Sequence, residues 1–240
     1  MQPFNTDDGS ITYRNPVLDE PYHTKNGAIV EALEKHARAL KVWEKNNPII
    51  FDVCSGLSYS AACALEEIRR NNNDSLVTIY LFENDITILH KNLELPDALN
   101  YVQDGTTRDI TCYHHFKSAI RTFLDSKKTF YESKKDNVQI NIVFGDFQST
   151  IDHVKYHADF IFYAPFSPKF TPDMWTYEIF KKLYSHMNKD GKLSTYSYAR
   201  IVRDGLTQAG FAVHNGPILG RRSPSVIAIK KVCELNQKRQ

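Results

Sequence analysis

Residues 48–83 read PIIFDVCSGLSYSAACALEEIRRNNNDSLVTIYLFE, and the order of features in that stretch decides the fold. A short apolar run, Pro48 to Val53, breaks at the small residues Cys54-Ser55-Gly56-Leu57-Ser58. Tyr59 to Arg70 is rich in Ala, Leu and Glu, which favour a helix. After the polar loop Asn71 to Ser75, a second apolar run, Val77 to Phe82, ends at the acid Glu83. Strand, turn, helix and strand in that order make a parallel crossover unit.

The alternation continues outward. Ile86 to Leu93 reads as a second helix, Val138 to Phe144 as a third strand before Gly145-Asp146, and Phe160 to Tyr163 as a fourth. A helix is predicted over Pro172 to Met187, with proline at its start. Lys192 to Ser197 is a fifth strand, and Ile201 to Gln208 a helix ended by Gly210. Strands near 211–214 and 225–231 frame the loop 215–224. The least regular stretch is 97–136, with a helix over 115–126 and a charged connector from Lys127 to Asp136. Upstream, Asp8-Gly9 signals the turn of a hairpin over 9–18. Thr24 is the expected cap of a helix running to about Asn46, with Ile29, Leu33, His36, Ala37 and Leu40 at helical spacing. The sum is an α/β fold: a doubly wound, mostly parallel sheet of seven strands, covered on both faces, with a small N-terminal hairpin-plus-helix extension. One domain is expected over 1–240, with the extension at 1–47, the core at 48–232 and a basic tail at 233–240.

Composition narrows the function classes. Hydrophobic residues make up 42% and charged residues 24%, which excludes a disordered or fibrous chain. No apolar run is long enough to span a bilayer. The N-terminus MQPFNTDDGS is polar and acidic, so no signal peptide is expected. Cys54, Cys63, Cys112 and Cys233 are scattered and read as free thiols of a reduced, cytoplasmic protein. His153 and His157 are four apart, but Val154 stands where a zinc-protease helix needs Glu, and no metal site is expected. Net charge is only +2, which gives no global attraction to nucleic acid. The distribution is more telling: Arg200, Arg203, Arg221, Arg222, Lys230, Lys231, Lys238 and Arg239 crowd the C-terminal end. A solvated helix face with a charged tail is the plain alternative.

In open α/β sheets, ligands bind beyond the carboxyl ends of the strands, near the switch point. Four groups stand at those ends: Asp52 with the 54–58 turn, Glu83, Gly145-Asp146-Phe147, and Ala164-Pro165-Phe166-Ser167-Pro168. A turn of small residues lets a ligand approach the backbone and a helix N-terminus. An acid after the second strand can accept ribose hydroxyls. Asp146 can take an adenine amino group, with Phe147 against the ring. Taken singly, each has a duller reading as a turn or a helix cap. Together they describe a nucleoside-type cofactor site.

Residues 159–175, DFIFYAPFSPKFTPDMW, resemble the signature of MnmC-like tRNA methyltransferases, in which the fourth strand leads into a Phe-Ser/Ala-Pro turn. DGS at 8–10, YHTKNGAIVEA at 22–32, LSTYSYARIVRDGLTQAGFAV at 193–213 and GRRSP at 220–224 agree with that family in order. The resemblance implies a Rossmann-like methyltransferase sheet, S-adenosyl-L-methionine as cofactor and tRNA as partner. It further implies N-methylation of an aminomethyl group on a wobble uridine, with a separate enzyme making that precursor. Cofactor contacts are then expected from Asp52, Ser55, Gly56, Ser58, Glu83, Asp146, Phe147 and Ala164. Substrate contacts are expected from Phe166, Lys169, Arg203, Arg221 and Arg222. The sequence departs from the family twice. Its first turn resembles Gly-Phe-Gly-x-Gly, where Cys54 and Ser58 replace the outer glycines. An Asp usually precedes the Phe-Ser-Pro turn, where Ala164 stands here, so no catalytic residue is assigned. These departures define the alternative: a non-catalytic relative that binds RNA or protein.

Overall fold

The computed structural model describes residues 1–220 and 222–231. Two short strands, β1 (Gln2–Asn5) and β2 (Ile11–Arg14), pair antiparallel. Asp8-Gly9 is indeed the turn, but the strands lie on either side of it rather than over 9–18. Asp8 Oδ1 accepts hydrogen bonds from Thr6 Oγ1 (2.7 Å), Ser10 N (2.9 Å) and Ser10 Oγ (2.6 Å). The other oxygen, Oδ2, reaches across to accept Val30 N at 2.9 Å, in the first turn of α1 (Ala28–Ala32). The cap position is therefore Gly27 and not Thr24, because the helix's orphan N–H groups are met from the hairpin. A Cβ at Gly27 would stand 2.8 Å from Asp8 Oδ2, and its φ is 138°, so this position requires glycine. Beyond α1 the helix widens into a π-helix over Leu33–Arg38. It stops where Lys41 takes a left-handed conformation, well short of Asn46.

The crossover unit is as read: β3 (Ile49–Val53), α2 (Tyr59–Arg70), β4 (Val77–Glu83), then α3 (Ile86–Glu94). The irregular stretch holds more order than expected. A hairpin of β5 (Leu99–Gln103) and β6 (Thr106–Ile110) turns at Asp104-Gly105, and α4 (Tyr113–Ser126) follows. The supposed charged connector is a strand, β7 (Phe130–Lys135), antiparallel to β8 (Val138–Phe144). Its charges fit an edge strand, where lysine discourages pairing with other chains. After α5 (Phe147–Thr150) come β9 (Ala158–Tyr163), a 3₁₀ turn over Pro172–Trp175, α6 (Tyr177–Ser185), β10 (Met187–Thr195), α7 (Arg200–Gln208), β11 (Phe211–Asn215) and β12 (Val226–Lys230). The helix predicted over 172–187 is thus broken at Thr176, whose Oγ1 accepts Ile179 N at 3.4 Å and starts α6 afresh.

Eight strands form the main sheet, in the order β11-β12-β10-β9-β3-β4-β8-β7. The count exceeds the expected seven by the edge strand β7. Five central strands, β10 to β8, pair in parallel, and β12, β11 and β7 join the sheet through antiparallel pairings, so that only β12 and β7 run against the rest. Alternate residues of β3 serve opposite faces: Ile50 joins the core under α2 and α4, while Phe51 and Val53 join the core under α6 and α7. Because β3 lies between β4 and β9, the chain reverses its direction of winding there. A crevice must open at the carboxyl ends of those strands. Among the described residues, no helix is long and apolar enough to cross a membrane.

Candidate functional site

A cavity of about 350 Å³ opens at that crevice, within the range of small-molecule sites. Its floor begins at Asp52, the buried penultimate residue of β3, whose Oδ2 accepts Ala61 N at 3.2 Å from the first turn of α2. Burial pushes this carboxyl up to about 8, with the nearby Glu83 charge adding to the rise and the Ala61 N–H opposing it. The following turn carries three left-handed residues: Cys54 (φ 61°), Gly56 (φ 50°) and Ser58 (φ 58°). The backbone thus keeps a glycine-loop course although only its centre is glycine. Ser55 Oγ lies buried on the lining without a hydrogen-bond partner among the described residues. A Cβ at Gly56 would stand 3.1 Å from Tyr22.

Glu83, 6% exposed, stands at the end of β4. Its Oε2 accepts Gly56 N at 2.7 Å, and its Oε1 accepts Asn84 N and Asp85 N, both at 2.9 Å. Burial raises its pKa and these three amides oppose the rise. A carboxylate has about four acceptor positions, so one remains. At the end of β8, Gly145 N donates to Glu83 O at 2.9 Å, and Asp146 is exposed on the cavity wall. Phe147 meets Phe82 edge-on at 5.2 Å. At the end of β9, Ala164 N donates to Val53 O at 3.2 Å, and Phe166 O accepts Thr171 Oγ1 and Trp175 Nε1.

The structure therefore brings Asp52, Ser55, Gly56, Glu83, Asp146, Phe147, Ala164 and Phe166 onto one lining. Ser58 is not part of it; it is wholly buried below the turn. Lys169 is exposed with its ammonium over the Phe170 ring, off the lining. Arg203 stacks its guanidinium over Tyr198 at 4.5 Å and donates to Asn215 Oδ1. Arg222 is exposed. Of the remaining basic residues, Lys230 turns inward, donating to Met187 O at 2.8 Å. Arg221, Cys233 and the basic tail with Lys238 and Arg239 lie outside the described residues. Among the described residues, no cluster of His, Cys, Asp or Glu could hold a metal ion.

Sequence reading missed the roof of the cavity. The chain between β2 and α1 folds over the strand ends, and Glu20, Tyr22, His23 and Thr24 line the cavity from above. Tyr22 OH donates to Asp85 Oδ2 at 2.9 Å, and its ring meets Phe166 at 4.9 Å. Glu20 accepts Ser167 N (3.0 Å) and Ser167 Oγ (3.1 Å). Deeper in, Glu31 pairs with Lys35 at 2.5 Å, and His36 Nδ1 lies 2.7 Å from Ser194 Oγ. Burial holds His36 neutral, its pKa lowered to about 4. The motif YHTKNGAIVEA marked this segment, but nothing in its spacing announced that it closes a pocket.

Known proteins share this sequence and geometry. Residues 112–231 match the model of a family described as S-adenosyl-L-methionine-dependent methyltransferase. A Methanocaldococcus jannaschii protein of uncharacterized function is 29% identical over 225 residues, which is 94% of this chain and 58% of that protein. The Delftia acidovorans tRNA 5-methylaminomethyl-2-thiouridine biosynthesis bifunctional protein MnmC is 35% identical over 80 residues, 33% of this chain and 12% of that protein. This chain thus matches only part of the length of either relative. Among solved structures, MnmC2 from Aquifex aeolicus superposes with a TM-score of 0.74 at 26% identity, covering 97% of this chain and 71% of that one.

Proposed function

We propose a tRNA-directed N-methyltransferase activity, and the premise is that this chain belongs to the S-adenosyl-L-methionine-dependent methyltransferase family. The observation that carries the proposal is the cavity at the ends of β3, β4, β8 and β9, where Asp52, Glu83 and Asp146 meet the Phe166-Ser167-Pro168 turn. The residues fit the cofactor. Among the described residues Ser55 Oγ is an unpartnered polar atom on the lining, and Gly56 leaves room where a side chain would press on Tyr22. Asp52 would hold the methionine ammonium, which would draw its carboxyl into the ionised form. Glu83 has one acceptor position for a ribose hydroxyl, and Asp146 with Phe147 would hold adenine. Bound there, S-adenosyl-L-methionine supplies an electrophilic methyl group.

The chain's own contribution is placement and exclusion of water. The roof formed by residues 20–24 and the Phe166 turn encloses the space into which a substrate amine would reach. Holding an amine and a methyl donor in line in a closed site accounts for a large part of such a rate. The substrate favoured by the likeness to MnmC is an aminomethyl group on a wobble uridine of tRNA, made beforehand by another enzyme. The half-buried Arg203 and the exposed Arg222 would meet RNA phosphates. Ala164 favours the second reading, a non-catalytic relative, since the family's carboxylate is missing there. Titration calorimetry with S-adenosyl-L-methionine, followed by transfer of a labelled methyl group to bulk tRNA, tests the proposal. Cofactor binding without transfer to any tRNA would leave the second reading.

A further inference from the structure

We infer that Glu20, carried over the cavity by the N-terminal segment, is the carboxylate that receives the substrate's amine, in the role that Ala164 cannot fill. The inference rests on the methyltransferase reading above and names the residue that recognises its substrate.

Six acidic side chains line the cavity, and five have other work. Asp52, Glu83 and Asp146 stand at the strand ends where the cofactor fits. Glu31 is neutralised by Lys35 and held by Thr24. Asp85 caps α3 through Thr87 N and accepts the Tyr22 hydroxyl. Glu20 remains. Its partners are the backbone amide and hydroxyl of Ser167, and among the described residues no Lys or Arg pairs with it. Those two donors leave about two of its acceptor positions open. Ser167 is three residues beyond Ala164 in the same turn, so Glu20 approaches from above the turn that Ala164 begins. Tyr22 packed on Phe166 fixes the segment against that turn and gives the carboxylate a defined place.

A cationic aminomethyl group entering between roof and turn would meet this carboxylate and, among the described residues, no Lys or Arg paired with it. One proton passes from the substrate ammonium to a Glu20 oxygen. The freed lone pair forms the new N–C bond as the methyl carbon's bond to sulfur breaks, its electron pair staying with sulfur. Glu20 then releases its proton to solvent, and the product leaves as a secondary ammonium.

The test uses two nucleosides as probes, 5-aminomethyluridine and its neutral counterpart 5-hydroxymethyluridine. Each is titrated into the full chain saturated with S-adenosylhomocysteine. The wild type should bind the cation at least about tenfold more tightly, the usual worth of a charge-assisted hydrogen bond. Glu20→Gln keeps an acceptor for Ser167 and should abolish that preference, with affinity for S-adenosylhomocysteine unchanged. Glu20→Gln combined with Ala164→Asp should regain the preference from the other side of the turn. A wild type without preference for the cation overturns the inference. So does a Glu20→Gln protein that keeps the preference, or one that loses S-adenosylhomocysteine in parallel, since its role is then structural. Labelled methyl transfer to tRNA separates the two ideas. Transfer by the wild type with a preference insensitive to Glu20→Gln sinks Glu20 and leaves the tRNA reading. A Glu20-dependent preference without transfer to tRNA does the reverse.

Discussion

Ser58→Gly should stabilise this protein, and the size of the gain follows from the turn after β3. Ser58 sits at φ 58°, a conformation that costs a residue with a Cβ roughly 1–2 kcal/mol. It precedes α2, where serine ordinarily caps, yet in this conformation its hydroxyl makes no capping bond. Ser58 Oγ is instead buried without a partner among the described residues, at a further cost of about 1–3 kcal/mol. Glycine removes both terms. Against it stand the greater freedom of a glycine in the unfolded chain, about 0.4–1 kcal/mol, and the loss of a small packed side chain, about 1 kcal/mol. The balance runs from about zero to about 3.5 kcal/mol with its centre at about 2 kcal/mol, or roughly 4–8 °C in Tm at that centre for a chain of this size. Ser58→Ala is the control, because it removes the hydroxyl and keeps the backbone penalty. Calorimetric melts of the three proteins without cofactor should place both variants above the wild type, with S-adenosyl-L-methionine affinity unchanged because Ser58 is off the lining. If the glycine variant melts no higher than the wild type, the left-handed turn and the buried hydroxyl do not carry these costs and the reasoning fails.

Asp52→Asn should change the pH profile of stability. The buried carboxyl of Asp52 is pushed up to about 8, above an unfolded value of about 4, so the native state holds its proton more tightly than the unfolded chain. Its cost to folding is absent below about pH 4 and grows as pH rises towards 8. The stability gained by Asp52→Asn should therefore widen over that window in denaturant titrations; a constant offset would refute it. In the wild type, S-adenosyl-L-methionine affinity should fall by up to about tenfold per pH unit below 8, because its ammonium prefers the ionised partner. Glu83→Gln should weaken the cofactor by about 1.5–3 kcal/mol, read by calorimetry, and an unchanged affinity would put the ribose elsewhere. The Arg203→Ala, Arg222→Ala double variant should bind tRNA less tightly, its salt slope lowered by somewhat under one for each phosphate left without its arginine, and an identical slope would make both residues mere surface.

Much of the parallel core was legible because strands buried on both faces read as mostly apolar runs, as at Ile49–Val53 and Val77–Glu83. The strand-end residues follow from that order alone, which is why Asp52, Glu83 and Asp146 can be placed from the sequence without knowledge of the cavity. Two omissions have different causes. The β5–β6 hairpin carried its own signal, Asp104-Gly105, both at positive φ, between alternating residues. The strand β7 had none, since no residue of FYESKK is fully buried along this sheet edge and only Tyr131 packs on the core. The start of α1 was misread because its cap is not local: Asp8 reaches it from the hairpin. Glu20 gives no local signal for a similar reason, since its partner Ser167 is far along the chain.

The π-helical segment Leu33–Arg38 bears on how the chain can vary in length. An ordinary α-helix turns its faces by about 100° when one residue is removed, which would swing Glu31 out of the cavity wall. A π-helical turn already holds a surplus residue, accommodated without rotating the helix on either side. Here the surplus lets neighbours point inward together: Lys35 to Glu31, and His36 to Ser194. A single deletion within 33–38 would close the turn to α geometry and leave Ala28–Ala32 and Leu40 facing as they do now. The helix would lose one of its two inward polar side chains but not its register. Close relatives are thus free to differ by one residue here, and shorter ones should carry a single polar group where this chain carries two.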